Sequence, residues 1–148
     1  MAPDGGPDRP DPPGRPRAAP FAIDLSVRDY ELDAQGIVNN ANYLHYFEHA
    51  RHEFLRSRGL DFVAMHDAGL DAVVYKIQVE YADSLRSGDR FRVSVSVRAE
   101  GRLRLVFEQE ARKEGGGALS ARARVEAALV RGGRPVPAPP ELAAKLFG

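Results

Sequence analysis

Apolar and polar residues alternate along five stretches of the chain, and this period of two predicts five half-buried β-strands. The first stretch runs from Phe21 to Tyr30. The other four fill the second half of the chain, with their apolar members at Val73 to Tyr81, Phe91 to Val97, Leu103 to Phe107 and Leu119 to Leu129. Glycines at the predicted turns favour hairpins, and strands joined by short turns are antiparallel.

A helical period replaces the alternation between the first strand and the other four. Apolar residues recur there at i, i+4, i+7 and i+11, namely Tyr43, Phe47, Ala50 and Phe54. This stripe predicts an amphipathic helix of four to five turns that ends at Gly59. A short helical turn is predicted near residues 61–69 and a terminal helix near 140–147. Only one long helix is available to cover the apolar face, so the pattern predicts an α+β fold in which a five-stranded antiparallel sheet wraps around one long central helix.

Composition narrows the class of protein. The 148 residues suffice for one domain, which we place at residues 20–148. Residues 1–19 are rich in proline, glycine and charge, so they are predicted to be a disordered tail. The chain has no cysteine, which excludes a disulfide scaffold, a thiol nucleophile and a cysteine-based zinc site. This composition fits the reducing cytoplasm, where we expect the protein to act.

Charge and hydropathy exclude two kinds of partner. The formal net charge is zero, which gives no basis for a nucleic-acid partner or an anionic membrane surface. No apolar run approaches the roughly 18–20 residues that span a bilayer. We therefore expect neither nucleic acid nor membrane as a partner.

The residues between the first strand and the long helix carry the most distinctive motif of the chain. Asp33, Gly36 and Val38 form the pattern D-x-x-G-x-V, and Asn42-Tyr43 follow at the start of the helix. This segment resembles the 4-hydroxybenzoyl-CoA thioesterase and YbgC-like branch of hotdog-fold thioesterases. Its sequence is most similar to the corresponding segment of the acyl-ACP and dihydroxynaphthoyl-CoA thioesterases. The resemblance implies the hotdog fold and the hydrolysis of an acyl thioester to a free acid and a thiol.

The resemblance also implies a role for individual residues. Asp33 matches the carboxylate that attacks the thioester carbonyl or activates water, and the backbone N–H of Asn40 matches the oxyanion donor. Gly36 matches the glycine beside the substrate, and Asn39 and Tyr43 are candidates for substrate binding. This chemistry is physically reasonable because a helix N-terminus offers free N–H donors and partial positive charge. Thiolate is a good leaving group, so no strong general acid is required. The resemblance implies no metal and no other cofactor.

Each candidate also has a purely structural interpretation. An aspartate before a helix is often a cap or turn residue, and Asn39 and Asn40 can serve as loop and cap residues. Tyr43 can line an acyl tunnel, pack in the core, or do both. Glu48 on the helix is a backup catalytic carboxylate, and its alternative is an ion pair with Arg51 or Arg28.

Three histidines of the helix share one face, at His45, His49 and His52. Such a cluster can hold a metal. An HEXXH motif is absent, and no carboxylate completes the set at a recognised spacing. We therefore interpret the histidines as a partly exposed polar face.

Assembly and function follow from the same resemblance. It implies a homo-oligomer, a dimer or a homotetramer made of two dimers, with the active site where two subunits meet and acyl-CoA or acyl carrier protein as the substrate. The alternative function is a hotdog protein that binds acyl thioesters without turnover. A hotdog dehydratase is disfavoured because the Asp33 motif matches that class poorly.

Overall fold

The computed structural model describes residues 21–115 and 117–148. The predicted tail at residues 1–19 lies outside these ranges. The described residues form an α+β fold in which one antiparallel sheet packs against helices. Six strands build the sheet: β1 (Phe21–Ser26), β2 (Leu70–Tyr81), β3 (Arg90–Glu100), β4 (Arg104–Lys113), β5 (Leu119–Arg131) and β6 (Arg134–Val136).

The sheet places its strands in the order β1-β3-β4-β5-β2, and β6 pairs with β5. Every pairing is antiparallel. The β3–β4 hairpin turns through Gly101, whose φ of +67° favours glycine. Strands β1 and β2 lie at the two ends of this order, so each has one neighbour among the described strands.

Helix α1 (Asn42–Ser57) lies on the inner face of the sheet, where it packs against β1 and β3. The four residues of the predicted stripe, Tyr43, Phe47, Ala50 and Phe54, are all buried. The helix has 16 residues and ends where predicted, near Gly59. None of the helices in the described ranges is long and apolar enough to cross a bilayer.

Two shorter helices complete the fold, α2 (Phe62–Asp67) and α3 (Pro140–Phe147). Asp61 caps α2, because its side chain accepts hydrogen bonds from the Val63 and Ala64 N–H groups. Helix α3 buries Leu142 and Leu146 in the core. The long central helix is therefore not the sole helical cover of the sheet.

The predicted architecture needs two further corrections. A sixth strand, β6, was not predicted, because Arg134, Pro135 and Val136 are too few residues to show an alternation. The first strand ends at Ser26 rather than at Tyr30, and Asp29–Glu31 form a 3-10 turn. The buried Glu31 side chain stabilises this turn by accepting a hydrogen bond from the Arg28 N–H.

One polar contact ties the middle of α1 to the sheet. Arg51 is 7% exposed, and its Nη1 donates to Gln109 Oε1 at 2.9 Å. The Gln109 amide in turn donates to the backbone carbonyl of Phe47 at 2.9 Å. This contact fixes α1 over β4.

Strand β2 keeps much of its surface exposed. Val74, Ile77 and Tyr81 share the inner face of the sheet with the buried residues of β5 that they pair with, yet they are 40%, 39% and 50% exposed. Helix α1 lies over β1 and β3, so it leaves this end of the inner face open. An edge strand of twelve residues with an exposed apolar face is an unusual surface unless another chain covers it.

Candidate active site

The Asp33 loop, residues 32–38, is a small hairpin that precedes α1. Leu32 and Val38 form an antiparallel bridge, and the Asp33 N–H donates to the Ile37 carbonyl at 2.8 Å. Gly36 has φ +76° and closes the turn by donating its N–H to the Asp33 carbonyl at 3.1 Å. This left-handed conformation explains the glycine of the motif, since other residues adopt it at a cost.

The chain between β2 and β3 supports the Asp33 loop from one side. The Val38 N–H donates to the carbonyl of Leu85, a fully buried residue, at 2.9 Å. Ile37 forms a second antiparallel bridge with Arg86. The second strand of the loop is therefore held by the chain between β2 and β3 as well as by its pairing with Leu32.

The Asp33 carboxylate has one occupied and one free oxygen. Oδ1 accepts the backbone N–H groups of Gln35, at 2.8 Å, and Ile37, at 3.4 Å. Oδ2 has no hydrogen-bond partner among residues 21–115 and 117–148. The structural interpretation of Asp33 as a turn residue is therefore correct for Oδ1, and Oδ2 is left available for chemistry.

Three of the four backbone N–H groups of residues 39–42, which lead into α1, have a hydrogen-bond partner. The Asn39 N–H donates to the Glu31 carbonyl, the Ala41 N–H to Asn39 Oδ1, and the Asn42 N–H to the Asn39 carbonyl, each at 2.9 Å. The Asn40 N–H has no partner within the described part of the chain. Because a helix N-terminus attracts negative charge, this free donor can bind an oxyanion.

The side chains of Asn39 and Asn40 differ in what they do. Asn39 is half-buried and shapes the turn through its Oδ1, as its cap interpretation requires. The Asn40 side chain is exposed and makes no hydrogen bond to another described residue. What distinguishes Asn40 is therefore its backbone.

Glu31 organises this region, and the sequence analysis did not identify it. Its backbone carbonyl accepts both the Asn39 N–H and the Asn42 Nδ2 group, the latter at 2.8 Å. Its buried carboxylate lies beside Tyr46, and burial followed by this negative charge raises the pKa of the Tyr46 phenol. Glu31 therefore joins the 3-10 turn that follows β1 to the first turn of α1.

Tyr43 lies in an aromatic cluster under the helix N-terminus. It is 4% exposed, and its ring is edge-to-face with Tyr46 at 5.8 Å and with Tyr81 at 5.3 Å between centroids. Burial raises the pKa of its hydroxyl. The core interpretation of Tyr43 is thus confirmed, and its contact with Tyr81 places it at the border of the site.

Tyr81 is a second residue of the site that sequence reasoning missed. Its hydroxyl donates to the backbone carbonyl of Asn40 at 2.9 Å. The alternation of β2 indicated only which face this tyrosine occupies. The contact joins residues 41 positions apart, so local periodicity carries no signal of it.

The backup carboxylate and the histidines lie elsewhere on α1. Glu48 is exposed, six residues into the helix, which is roughly 9 Å along its axis at 1.5 Å per residue. No ion pair joins it to Arg51 or Arg28 within the described ranges. The His52 ring packs against Phe62 in a tilted arrangement, with ring centroids 4.7 Å apart. No group of three or more histidines and carboxylates in the described residues is placed to hold a metal.

Two grooves on the chain lie away from the Asp33 loop. The larger, of about 770 Å³, is on the outer face of the sheet beside the β3–β4 hairpin. The smaller, of about 280 Å³, lies between α2 and the start of β2. Neither groove includes a residue of the Asp33 loop or of the α1 N-terminus, so neither can bring a substrate to Asp33.

Most arginines of the strands are engaged with glutamates on the outer face. Arg104 and Arg124 both reach Glu100 and the buried Glu126. Arg98 pairs with Glu108 at 2.9 Å. The positive and negative charges of this face are therefore largely paired with one another.

Comparisons with known proteins agree with the motif. A putative esterase of Aquifex aeolicus is 37% identical over 123 residues, which cover 83% of this chain and 94% of that protein. A chloroplastic acyl-acyl carrier protein thioesterase of Arabidopsis thaliana is 38% identical over 86 residues, 58% of this chain and 45% of that protein. The crystal structure of a thioesterase from Thermus thermophilus, complexed with coenzyme A and zinc, has 28% identity and a TM-score of 0.71, and the match covers 84% of this chain and 90% of that one.

The family match covers most of the chain. The family described as the Thioesterase-like superfamily matches residues 27–146, a range that includes the Asp33 loop, α1 and strands β2 to β6. This match confirms the family resemblance seen in the motif. The chain belongs to the Thioesterase-like superfamily.

Proposed function

We propose that the protein hydrolyses an acyl thioester of coenzyme A or of an acyl carrier protein, with Asp33 as the nucleophile or general base and the Asn40 N–H as the oxyanion donor. Membership of the superfamily supports thioester hydrolysis. The observation that carries the proposed mechanism is the free Asn40 N–H beside three paired neighbours, on the segment that directly follows the Asp33 loop. Oδ2 of Asp33 supplies the free acceptor that the reaction needs.

The proposed reaction has two possible routes, and both balance. As a general base, Asp33 takes a proton from water while the water oxygen bonds to the thioester carbon. As a nucleophile, Asp33 Oδ2 itself bonds to that carbon and gives an anhydride, which water then cleaves. In both routes negative charge develops on the carbonyl oxygen, the C–S bond breaks, and the thiolate leaves and is protonated.

The hydrogen bonds to Oδ1 suit either route. Two N–H donors on Oδ1 orient the carboxylate. They leave Oδ2 as the oxygen that faces water or the thioester. Gly36 allows close approach of the substrate because it has no side chain. The Tyr43 ring would line the site beside the acyl group.

We also propose that the working unit contains two or more copies of the chain. Neither groove of the single chain includes Asp33, and the inner face of β2 beside Tyr81 is apolar and open. A second copy that covers Val74 and Ile77 would complete an acyl site next to Asn40. A dimer, or a tetramer of two dimers, is the assembly this surface favours.

The nature of the thiol carrier is the finer part of the proposal. The Arabidopsis relative is named for acyl carrier protein, and the Thermus structure contains coenzyme A. Most of the outer-face arginines are engaged with glutamates, so they give no preference for one carrier. Both carriers present the same phosphopantetheine thioester to the site.

A substrate panel tests the proposal. Purified protein is assayed with a thiol-trapping reagent against short, medium, long and aromatic acyl-CoAs, and against the same acyl groups on acyl carrier protein. We expect thiol release, and the ratio of the two arms identifies the carrier. Acyl-CoA binding measured by calorimetry without thiol release would instead support a protein that binds acyl thioesters without turnover.

A further inference from the structure

We propose that Tyr81 is a positioning residue that orients the oxyanion donor, an inference that rests on the proposed function. The Tyr81 hydroxyl donates to the Asn40 carbonyl at 2.9 Å. The donor proposed for the oxyanion is the N–H of the same residue. Tyr81 would thus act on the reaction through Asn40, without contacting the substrate.

The peptide between Asn39 and Asn40 sets the direction of the free N–H. The Asn39 carbonyl accepts the Asn42 N–H at 2.9 Å, so this carbonyl points into the first turn of α1. In a planar trans peptide the N–H points opposite to the carbonyl. The Asn40 N–H therefore points away from the helix, out of the first turn.

The next peptide, between Asn40 and Ala41, is held from both sides. Its N–H donates to Asn39 Oδ1 at 2.9 Å, and its carbonyl accepts the Tyr81 hydroxyl. The two peptides meet at the Asn40 Cα, so fixing both planes fixes φ and ψ of Asn40. Tyr81 thereby removes a rotation that would turn the donor away from the oxyanion.

Among these contacts, that of Tyr81 is the long-range one. The bonds from Ala41 and Asn42 join residues two or three positions apart and move with the turn itself. Tyr81 ends β2, whose backbone is hydrogen-bonded to β5 along its length. It therefore ties the donor to the sheet.

Removal of the hydroxyl alone separates this role from packing. The Tyr81 ring packs edge-to-face on Tyr43 at 5.3 Å, and phenylalanine would keep that contact. Tyr75 offers a matched control on the same strand. It is 53% exposed against 50% for Tyr81, and its hydroxyl accepts from Arg104 Nε at 3.0 Å on the outer face, away from Asn40.

The test compares wild type, Tyr81→Phe and Tyr75→Phe in steady-state hydrolysis of the best acyl thioester from the panel. Loss of one neutral hydrogen bond that is felt in the transition state corresponds to about a fivefold to tenfold effect. We expect kcat of Tyr81→Phe to fall by that factor with KM within about twofold, because an oxyanion forms only in the transition state. Tyr75→Phe should retain the wild-type kcat.

Three results would overturn the inference. Equal kcat for Tyr81→Phe and Tyr75→Phe would show that the hydroxyl has no role. A change in KM alone would make Tyr81 a substrate-binding residue. Loss of one limb of the kcat pH profile in Tyr81→Phe would make it an acid or base.

A second measurement separates this inference from the proposed function. Amide hydrogen exchange of Ala41, whose N–H belongs to the peptide that Tyr81 holds, reports how firmly that peptide is fixed when it is followed by NMR in wild type and both variants. We expect faster exchange in Tyr81→Phe and no change in Tyr75→Phe. Unchanged exchange at Ala41 would overturn the positioning role of Tyr81 even if the wild type is an active thioesterase. Wild type inactive on every thioester would overturn the proposed function, whatever the exchange shows.

Discussion

The buried pair of Arg51 and Gln109 yields a prediction about what holds α1 over the sheet. Arg51 is 7% exposed and Gln109 is 1% exposed. Burial lowers the pKa of the Arg51 guanidinium, and the negative charge of Glu48 acts in the opposite direction. The charge of Arg51 is therefore accommodated mainly by the neutral oxygen of Gln109.

The expected losses of stability depend on which buried polar group each substitution leaves without a partner. Gln109→Leu leaves a buried guanidinium without its acceptor and should lower the free energy of unfolding by about 3 kcal/mol. Arg51→Met keeps most of the apolar stem but leaves the Gln109 oxygen unpaired, for a loss of about 2 kcal/mol. The double variant leaves neither group unpaired, because both positions become apolar. Its free energy of unfolding should fall by only about 1 kcal/mol.

The assay is urea unfolding of the four proteins at one protein concentration, since assembly would otherwise shift the midpoints. We expect a coupling energy of about 4 kcal/mol between the two positions, because the two single losses together exceed the double loss by that amount. Losses that add to within about 0.5 kcal/mol would refute the reasoning and show that each side chain is stabilised by other contacts. An unchanged m-value is required for the comparison to hold.

Three further predictions test the loop, a titration and the assembly. Asp33→Ala removes the acceptor of two backbone N–H groups and should destabilise the fold by about 2 kcal/mol more than Asp33→Asn, which keeps Oδ1; equal urea midpoints would contradict this. Burial lowers the pKa of His52 below 6.5, so the folded state favours the neutral ring and stability should fall as pH drops through that range; His52→Gln should flatten the dependence between about pH 7 and 5, and equal slopes would contradict it. Ile77→Lys on the open face of β2 should lower the mass in sedimentation and abolish hydrolysis, whereas Gln78→Lys on the opposite face should not; an unchanged mass for Ile77→Lys would contradict the proposed assembly.

The fold could be predicted from sequence wherever a long periodic segment decides the structure. Strands β3 and β5 have clear alternation, and the stripe of α1 is buried as predicted. Strand β6 was missed because its pairing depends on the Gly132-Gly133 turn and on the end of β5, rather than on its own three residues. The first strand was extended too far because Val27 continues its alternation, while the Glu31 cap that ends it is a contact of a side chain with the backbone.

The site could be predicted only in the part that the motif contains. Asp33 and Gly36 lie, as predicted, between the first strand and the long helix, and the structure adds that this loop is a small hairpin and which oxygen of Asp33 is free. Glu31 and Tyr81 could not be found, because each acts through a backbone carbonyl whose neighbours depend on the folded chain. The burial of Arg51 depends on Gln109, 58 residues away, so the helical pattern carries no signal of it.

The central claim is that the Asp33 carboxylate performs the chemistry rather than merely closing its loop. The chain provides a matched control in Asp61, whose Oδ1 accepts two backbone N–H groups at 2.9 and 3.4 Å, against 2.8 and 3.4 Å for Asp33. Asp61 lies beyond the opposite end of α1 from the Asp33 loop. Asp61 thus accepts backbone N–H groups as Asp33 does, but it lies far from the proposed active site.

The most direct measurement is therefore kcat/KM for thioester hydrolysis by wild type, Asp33→Asn and Asp61→Asn. We predict a loss of at least about a hundredfold for Asp33→Asn, the size typical of removing a positioned acid–base or nucleophilic group, and less than about twofold for Asp61→Asn. Equal activity of Asp33→Asn and Asp61→Asn would contradict the account and reduce Asp33 to a turn residue.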